Sequence, residues 1–180
     1  MSIMEFIRIQ SADNPYTDEF LELYFEAFPE NQRHSEQAFK ALLKNEDLFH
    51  CNAVTMNKKL VGFINYWDFE EFAFVEHVAI EPPLRGHKLG EKIISLTKES
   101  LSVPLVLEVE YAESSEWGSR RIEFYNRLGF EIVPSHYMQP PYRKGEKYIP
   151  LHLMSDDLPF AAGNFEKIKD AIYKIVYKVG

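Results

Sequence analysis

Residues 75–94 read VEHVAIEPPLRGHKLGEKII. A short apolar run meets two prolines, then a basic turn punctuated by Gly86 and Gly90, then a helical pattern with Ile93 and Ile94 on one side. An apolar run of this length, bounded by turn residues, reads as a central strand covered on both faces. The chain must then turn sharply into a helix whose first amides have no intrahelical partner. Such amides, with the helix dipole behind them, attract an anion. Gly86 and Gly90 remove side chains where an anion would touch backbone. Arg85, Lys88 and His87 add positive charge, and Glu91 suits the dipole just inside the helix. Spacing alone leaves two readings open: an anion-binding turn, or a solvated turn whose basic side chains face water. The turn lacks the glycine-lysine-serine/threonine ending of a nucleoside-triphosphate loop and the glycine order of a dinucleotide fingerprint.

Working outward, MEFIRI (4–9) alternates as a strand, and a helix follows from Tyr16 with Phe20, Leu21, Tyr24, Phe25 and Phe28 in register. Asn14 with Pro15, or Thr17, is read as its cap, and Pro29 as its stop. Ser35 is read as the cap of a second helix bearing Phe39, Leu42 and Leu43. HCNAVTM, NKK and LVGFINYWDF make a hairpin, and 72–80 is a third strand beside it. Alternation puts Glu76 on one face with Phe74 and Val78, and His77 on the other. PLVLEVE (104–110) is a strand, SSEWGSRRIEFYNRLG a helix ended by Gly129, and FEIVP a strand. SHYMQPPYRKGE is a turn-rich loop, and KYIPLHLM (147–154) the last strand. The tail carries Phe165, Ile168, Ile172, Ile175 and Val179 at helical spacing, so 163–179 is expected to be an amphipathic helix docked on its own domain or on a second subunit of a homodimer. Residues 1–180 show no repeat and no linker. The expected class is α/β (α+β): one domain with a mixed, mainly antiparallel sheet flanked by helices.

The chain has 180 residues, 46% of them hydrophobic, which is ample for a core. Its formal charge of −8 repels nucleic acid at long range. The single cysteine, Cys51 in FHCNAV, rules out an internal disulfide and reads as a small buried hydrophobe. No run of about twenty apolar residues and no basic-then-apolar leader is visible, so the expectation is a cytoplasmic protein without a membrane role. No compact His, Cys and carboxylate spacing appears, and no metal is expected.

The 75–94 stretch resembles the central strand, loop and helix of the GNAT superfamily of N-acetyltransferases. The loop is similar to the family's arginine-or-glutamine, x, x, glycine, x, glycine-or-alanine signature. Arg85 takes the first position and Gly90 the last, while Lys88 stands where the family has its middle glycine. RRIEFYNRLGFEIV is similar to the family's later helix and strand, with Tyr125, Gly129 and Phe130 on the pattern. The resemblance implies acetyl-coenzyme A as co-substrate. Its pantetheine would pair with backbone around Val78, Ala79 and Ile80 between two splayed central strands. Its pyrophosphate would rest on Arg85, Gly86, His87, Lys88, Leu89, Gly90 and Glu91. The acceptor would enter under a roof made by the first helices and the 135–147 loop.

Direct acyl transfer needs a neutral amine, a donor for the developing oxyanion and an acid for the departing thiolate. On the family pattern Tyr125 is the acid. A phenol with pKa near ~10 is well matched to a thiol; the alternative is a core aromatic beside Phe124 and Leu128. Glu76 is the candidate base, directly or through water; the alternative is a carboxylate paired to a neighbour. Glu108 and Glu110 share a face of their strand, and with Tyr137 and Tyr142 they are candidate substrate contacts. The expected function is acetyl transfer from acetyl-coenzyme A to a primary amine, small molecule or peptide. The runner-up is a non-catalytic acyl-coenzyme A binding or interaction protein on the same fold.

Overall fold

The structure, a computed structural model, describes residues 3–180. It is a mixed α/β fold whose mainly antiparallel sheet is flanked by helices. The chain divides into two compact units: Met1–Asp68 with Val75–Thr97, and Phe69–Phe74 with Lys98–Gly180.

In the first unit the strand order is β1-β2-β3-β4. β1 (Met4–Ile9) pairs antiparallel with β2 (Phe49–Met56), and β2 with β3 (Lys59–Asp68). The β2–β3 turn is Asn57 and Lys58, both at positive φ (50° and 61°), the mirror-image geometry whose twist suits a two-residue hairpin. α1 (Thr17–Ala27) and α2 (Glu36–Asn45) follow β1. Their aromatic residues Phe20, Tyr24 and Phe39 are fully buried and meet Phe63 of β3 or one another at centroid distances from 4.6 to 5.9 Å. Each such ring contributes about 2–3 kcal/mol by leaving water. Ser35 caps α2 as expected, its Oγ accepting from the Ala38 N–H at 3.2 Å. Neither expected cap of α1 closes that helix. Asn14 Oδ1 accepts from the Tyr16 N–H, and Thr17 turns its hydroxyl back to the Ser11 carbonyl.

β4 (Ala73–Ile80) begins in the second unit, where the Ala73 N–H donates to the Pro104 carbonyl, and continues in the first. Its alternation fails at one place. His77 does not point away from Glu76: its ring meets Tyr24 and Phe28 of the helical side, and its Nδ1 is 4.0 Å from Glu76 Oε1. The two polar groups share one side, each with hydrogen-bond partners of its own, which spares each an unpartnered burial. A 3₁₀ turn at Pro82–Leu84 then leads to α3 (Leu89–Leu101).

In the second unit the strand order is β5-β8-β6, with β7 also on β8. β5 (Leu105–Val109), β6 (Glu131–Ile132) and β7 (Tyr137–Gln139) all pair antiparallel with β8 (Ile149–Ser155). β7 lies inside the stretch read as a plain loop, because three residues flanked by prolines give too short an alternation to see. α4 (Gly118–Arg127) is shorter than its sequence pattern and ends before Gly129, which sits at φ 85°. The tail is not one helix over 163–179. Asp157 caps α5 (Leu158–Gly163), Asn164 interrupts, α6 (Phe165–Ala171) follows, and Ile172–Val176 widens into a π-helical turn. Ile168, Ile172 and Val176 are buried within the chain itself.

Candidate active site

Glu76 sits in the aromatic interior of the first unit with 1% of its side chain exposed. Its Oε1 is 2.7 Å from His34 Nε2, and its Oε2 accepts the Trp67 Nε1–H at 2.7 Å. Burial opposes the charge of this carboxylate. The His34 ring, then His77 and the Trp67 donor, outweigh it and hold the group down at about 2. Glu76 is therefore ionised at neutral pH and committed on both oxygens. His77 Nε2 donates to the Gln32 carbonyl at 2.9 Å, and burial pushes its ring toward the neutral form. These contacts clamp the segment between α1 and α2 onto β4.

Beyond β4, Gly86 and Lys88 take positive φ values of 82° and 58° and bend the chain into α3. Residues 85–88 are exposed, and a Cβ placed on Gly86 would meet nothing within 4 Å, so the approach to this backbone is open. Arg85 Nε donates to the Ile80 carbonyl at 3.0 Å, and His87 Nδ1 lies 3.2 and 3.1 Å from the Leu84 and Arg85 carbonyls. Two of the three basic side chains thus also fix the turn. The Lys92 N–H takes the Lys88 carbonyl, which leaves the amides of the first helical turn directed out of the helix end. Behind this strand, Gly62 makes room for the Ala79 carbonyl, which a side chain there would strike.

In the second unit Tyr125 is partly buried, with Phe124 and Phe130 against its ring at 5.0 and 5.6 Å. Burial pushes its phenol up to about 12, against the pull of Arg121. It stays protonated at neutral pH and holds a proton to give. Glu108 accepts from Tyr137 Oη on one oxygen, and from Gln139 Nε2 (2.5 Å) and Tyr177 Oη (2.8 Å) on the other. Tyr137 is 1% exposed, so it and Glu108 form an internal clasp between β5, β7 and the tail. Tyr142 packs edge-on to Tyr177. Glu110 pairs with Arg121 at 2.8 Å and accepts from Ser115.

The sequence model of the Acetyltransferase (GNAT) family matches residues 15–130. The chain belongs to the GNAT family. A solved GNAT-family structure from Bacteroides thetaiotaomicron is 35% identical and superposes with a TM-score of 0.92, covering 98% of this chain and 99% of that one. YjbC of Bacillus subtilis is 29% identical over 112 residues, 61% of this chain and 55% of YjbC. The chain spans just over half the length of the curated relatives it matches. The solved structure of yncA from Salmonella typhimurium with its cofactor acetyl-CoA shares the fold at a TM-score of 0.61 and 17% identity, covering 88% of this chain and 94% of that one.

On this GNAT scaffold Glu76 and the 85–91 loop fall in the first unit, and Tyr125, Glu108, Glu110, Tyr137 and Tyr142 in the second. His34 and Trp67 were not singled out from the sequence. His34 stands in a polar connection, NQRHS, 42 residues from Glu76, and nothing in its neighbours announces the contact. Among the described residues no group of three or more His, Cys, Asp or Glu side chains could hold a metal ion, and no helix is long and apolar enough to cross a membrane.

Proposed function

We propose that this GNAT protein transfers an acetyl group from acetyl-CoA to a primary amine by direct attack. The observation that carries the reading is the 85–91 turn. Left-handed backbone at Gly86 and Lys88 swings exposed amides and basic side chains to the start of α3, where a diphosphate is best received. The open space over Gly86 supports the fit of that group. Acetyl-CoA supplies the activated acyl group. The backbone of Val78, Ala79 and Ile80 would hold its pantetheine arm, and a strand amide near Val78 would donate to the developing oxyanion. Tyr125, protonated at neutral pH, would return a proton to the departing thiolate. The anionic protein favours a cationic acceptor. Tyr142 and the carboxylate of Glu110 are the candidate contacts for it. Glu108 and Tyr137 would shape the acceptor wall through their clasp rather than by contact.

Two measurements test this. Calorimetric titration with acetyl-CoA should show saturable binding, and Gly86→Asp should abolish it. Thiol release should then be followed with spermidine, phenethylamine, kanamycin and a lysine-bearing tripeptide as acceptors. Absence of heat on titration rejects the reading. Binding without thiol release from any of the four would make the chain an acyl-CoA-binding protein without turnover.

A further inference from the structure

We propose that Arg121 is a positioning residue for the proton that Tyr125 gives up: held by Glu110 one helical turn before Tyr125, its guanidinium stabilises the phenolate left behind. The proposal rests on the transferase reading and adds a residue to its proton-donating side. Every side chain it uses lies in the second unit. Tyr125 has Phe124 and Phe130 against its ring at 5.0 and 5.6 Å. A phenolate formed among apolar rings has lost hydration that they do not replace. A nearby cation offsets that loss and brings the phenol closer in acidity to the thiol it must protonate.

The start of α4 is fastened to the chain leaving β5. A Cβ on Gly118 would stand 2.3 Å from the Tyr111 carbonyl oxygen, so the two backbones touch there. Ser115 Oγ accepts from the Trp117 and Gly118 N–H groups at 3.1 and 3.2 Å and donates to Glu110 Oε1 at 3.0 Å. The same Oε1 accepts from Arg121 Nη1 at 2.8 Å. Glu110, with 23% of its side chain exposed, thus keeps the guanidinium, which is 58% exposed, on the β5 side of the helix. Residues four apart on a helix are neighbours on one face, and Arg121 and Tyr125 are so spaced. The other charged groups about α4 are engaged elsewhere or face water. Arg120 lies 4.9 Å over Trp117 and Arg127 5.9 Å over Phe124. Glu123 on the helix and Glu131 on β6 are exposed. Lys98 of α3 stands 6.0 Å from the Phe130 ring and pairs with Asp156 at 3.0 Å. Arg121 is the charge that acts on the phenol, and it acts against the burial.

The step balances. The amine nitrogen bonds to the acyl carbon, the carbon–sulfur bond breaks, and the surplus proton on nitrogen passes to water. The thiolate takes the Tyr125 proton, which leaves a thiol and a phenolate. The phenolate is held beside the guanidinium until water returns the proton. Arg121 keeps its own protons throughout.

The test has two arms. In the first, Tyr125 alone is replaced by a difluorotyrosine, fluorinated on both ring positions beside the hydroxyl so that its phenol ionises at lower pH. Its ionisation is followed by fluorine NMR from about pH 6 to pH 10.5, without acetyl-CoA. Arg121→Gln should move the ionisation to higher pH, because a cation favours the charged phenol, and Arg121→Lys should restore it. An ionisation that stays in place in Arg121→Gln overturns the proposal. In the second arm, thiol release is measured with whichever of the four amines is fastest. Arg121→Gln should lower kcat by about tenfold, a modest loss because the guanidinium is more than half exposed, and leave KM for acetyl-CoA unchanged. In a Tyr125→Phe background the same change should cost nothing further. An equal loss in both backgrounds also overturns it, since Arg121 would then act by a route other than Tyr125. Calorimetry separates the two levels. No acetyl-CoA binding to the unsubstituted protein removes the transferase reading itself, whereas binding and turnover with an unmoved ionisation remove only the role of Arg121.

Discussion

His34 Nε2 and Glu76 Oε1 meet at 2.7 Å across 42 residues of chain, inside a shell of aromatic rings. This one contact makes a buried anion tolerable and ties the α1–α2 segment to the middle of β4. Its energetic consequence is a dependence on pH. The folded carboxyl of Glu76 is held at about 2, below its ordinary value of 4.5. A depressed carboxyl contributes stability above the unfolded value and loses it as pH falls through the folded one. Urea unfolding should show Glu76→Gln destabilised by on the order of 3 kcal/mol at pH 6. The difference from the unsubstituted protein should shrink steadily between pH 5 and pH 2. A difference that does not change with pH would mean that the carboxylate charge plays no part.

Lys88 is a side-chain-bearing residue at φ 58° where a glycine would be at ease. Left-handed backbone costs such a residue about 1 kcal/mol. Lys88→Gly should therefore raise the unfolding free energy by about that amount. If the ammonium also reaches phosphate, the same variant should bind acetyl-CoA several-fold more weakly, and more so at low salt. Thermal unfolding and calorimetry on the one protein separate the two effects.

Gly62 is needed for a different reason. A methyl group there would strike the Ala79 carbonyl and approach Ile80 Cα to 3.3 Å. Gly62→Ala should push β4 outward, destabilise by about 1–3 kcal/mol, and weaken acetyl-CoA binding, because Ala79 and Ile80 lie in the stretch read as pairing with pantetheine. Normal affinity in a destabilised variant would separate this strand from the cofactor.

Tyr125→Phe keeps the ring between Phe124 and Phe130 and removes only the proton donor. Thiol release at saturating substrates should fall by about 100-fold with stability nearly unchanged. With the phenol pushed up to about 12, the unsubstituted protein should show no loss of thiol release from this group at any pH up to 10. An unaltered kcat would leave Tyr125 as packing alone.

Tyr177→Phe takes a hydroxyl donor from Glu108 and loosens the tail where it meets β5 and β7. A cost of about 1–3 kcal/mol is expected in urea unfolding. Sedimentation of the unsubstituted chain should give the monomer mass, since Ile168, Ile172 and Val176 are already covered by the chain itself.

The strands and helices were largely legible because their signals are local. MEFIRI alternates, Ser35 precedes a helical stripe, and the run into LRGHKLGEK carries its turn on its surface. The basic turn at 85–88 was legible for the same reason: its glycine, its basic residues and its helix start are neighbours in the chain. Where local signals were weak, the reading failed. Three residues of β7 are too few for a period, and Asn164 breaks the tail although the apolar spacing continues past it.

By itself, then, the sequence determined most of the strands and helices and where the chain turns sharply into α3, because those properties arise from residues a few positions apart. The tertiary structure alone decided that Glu76 is an ionised, enclosed partner of His34 and that His77 turns to the same side. It alone decided that Glu108 fastens the tail. These are contacts between residues brought together only when apolar surface is buried. A charge in such a place is set by the groups the fold carries to it, and no local pattern records them.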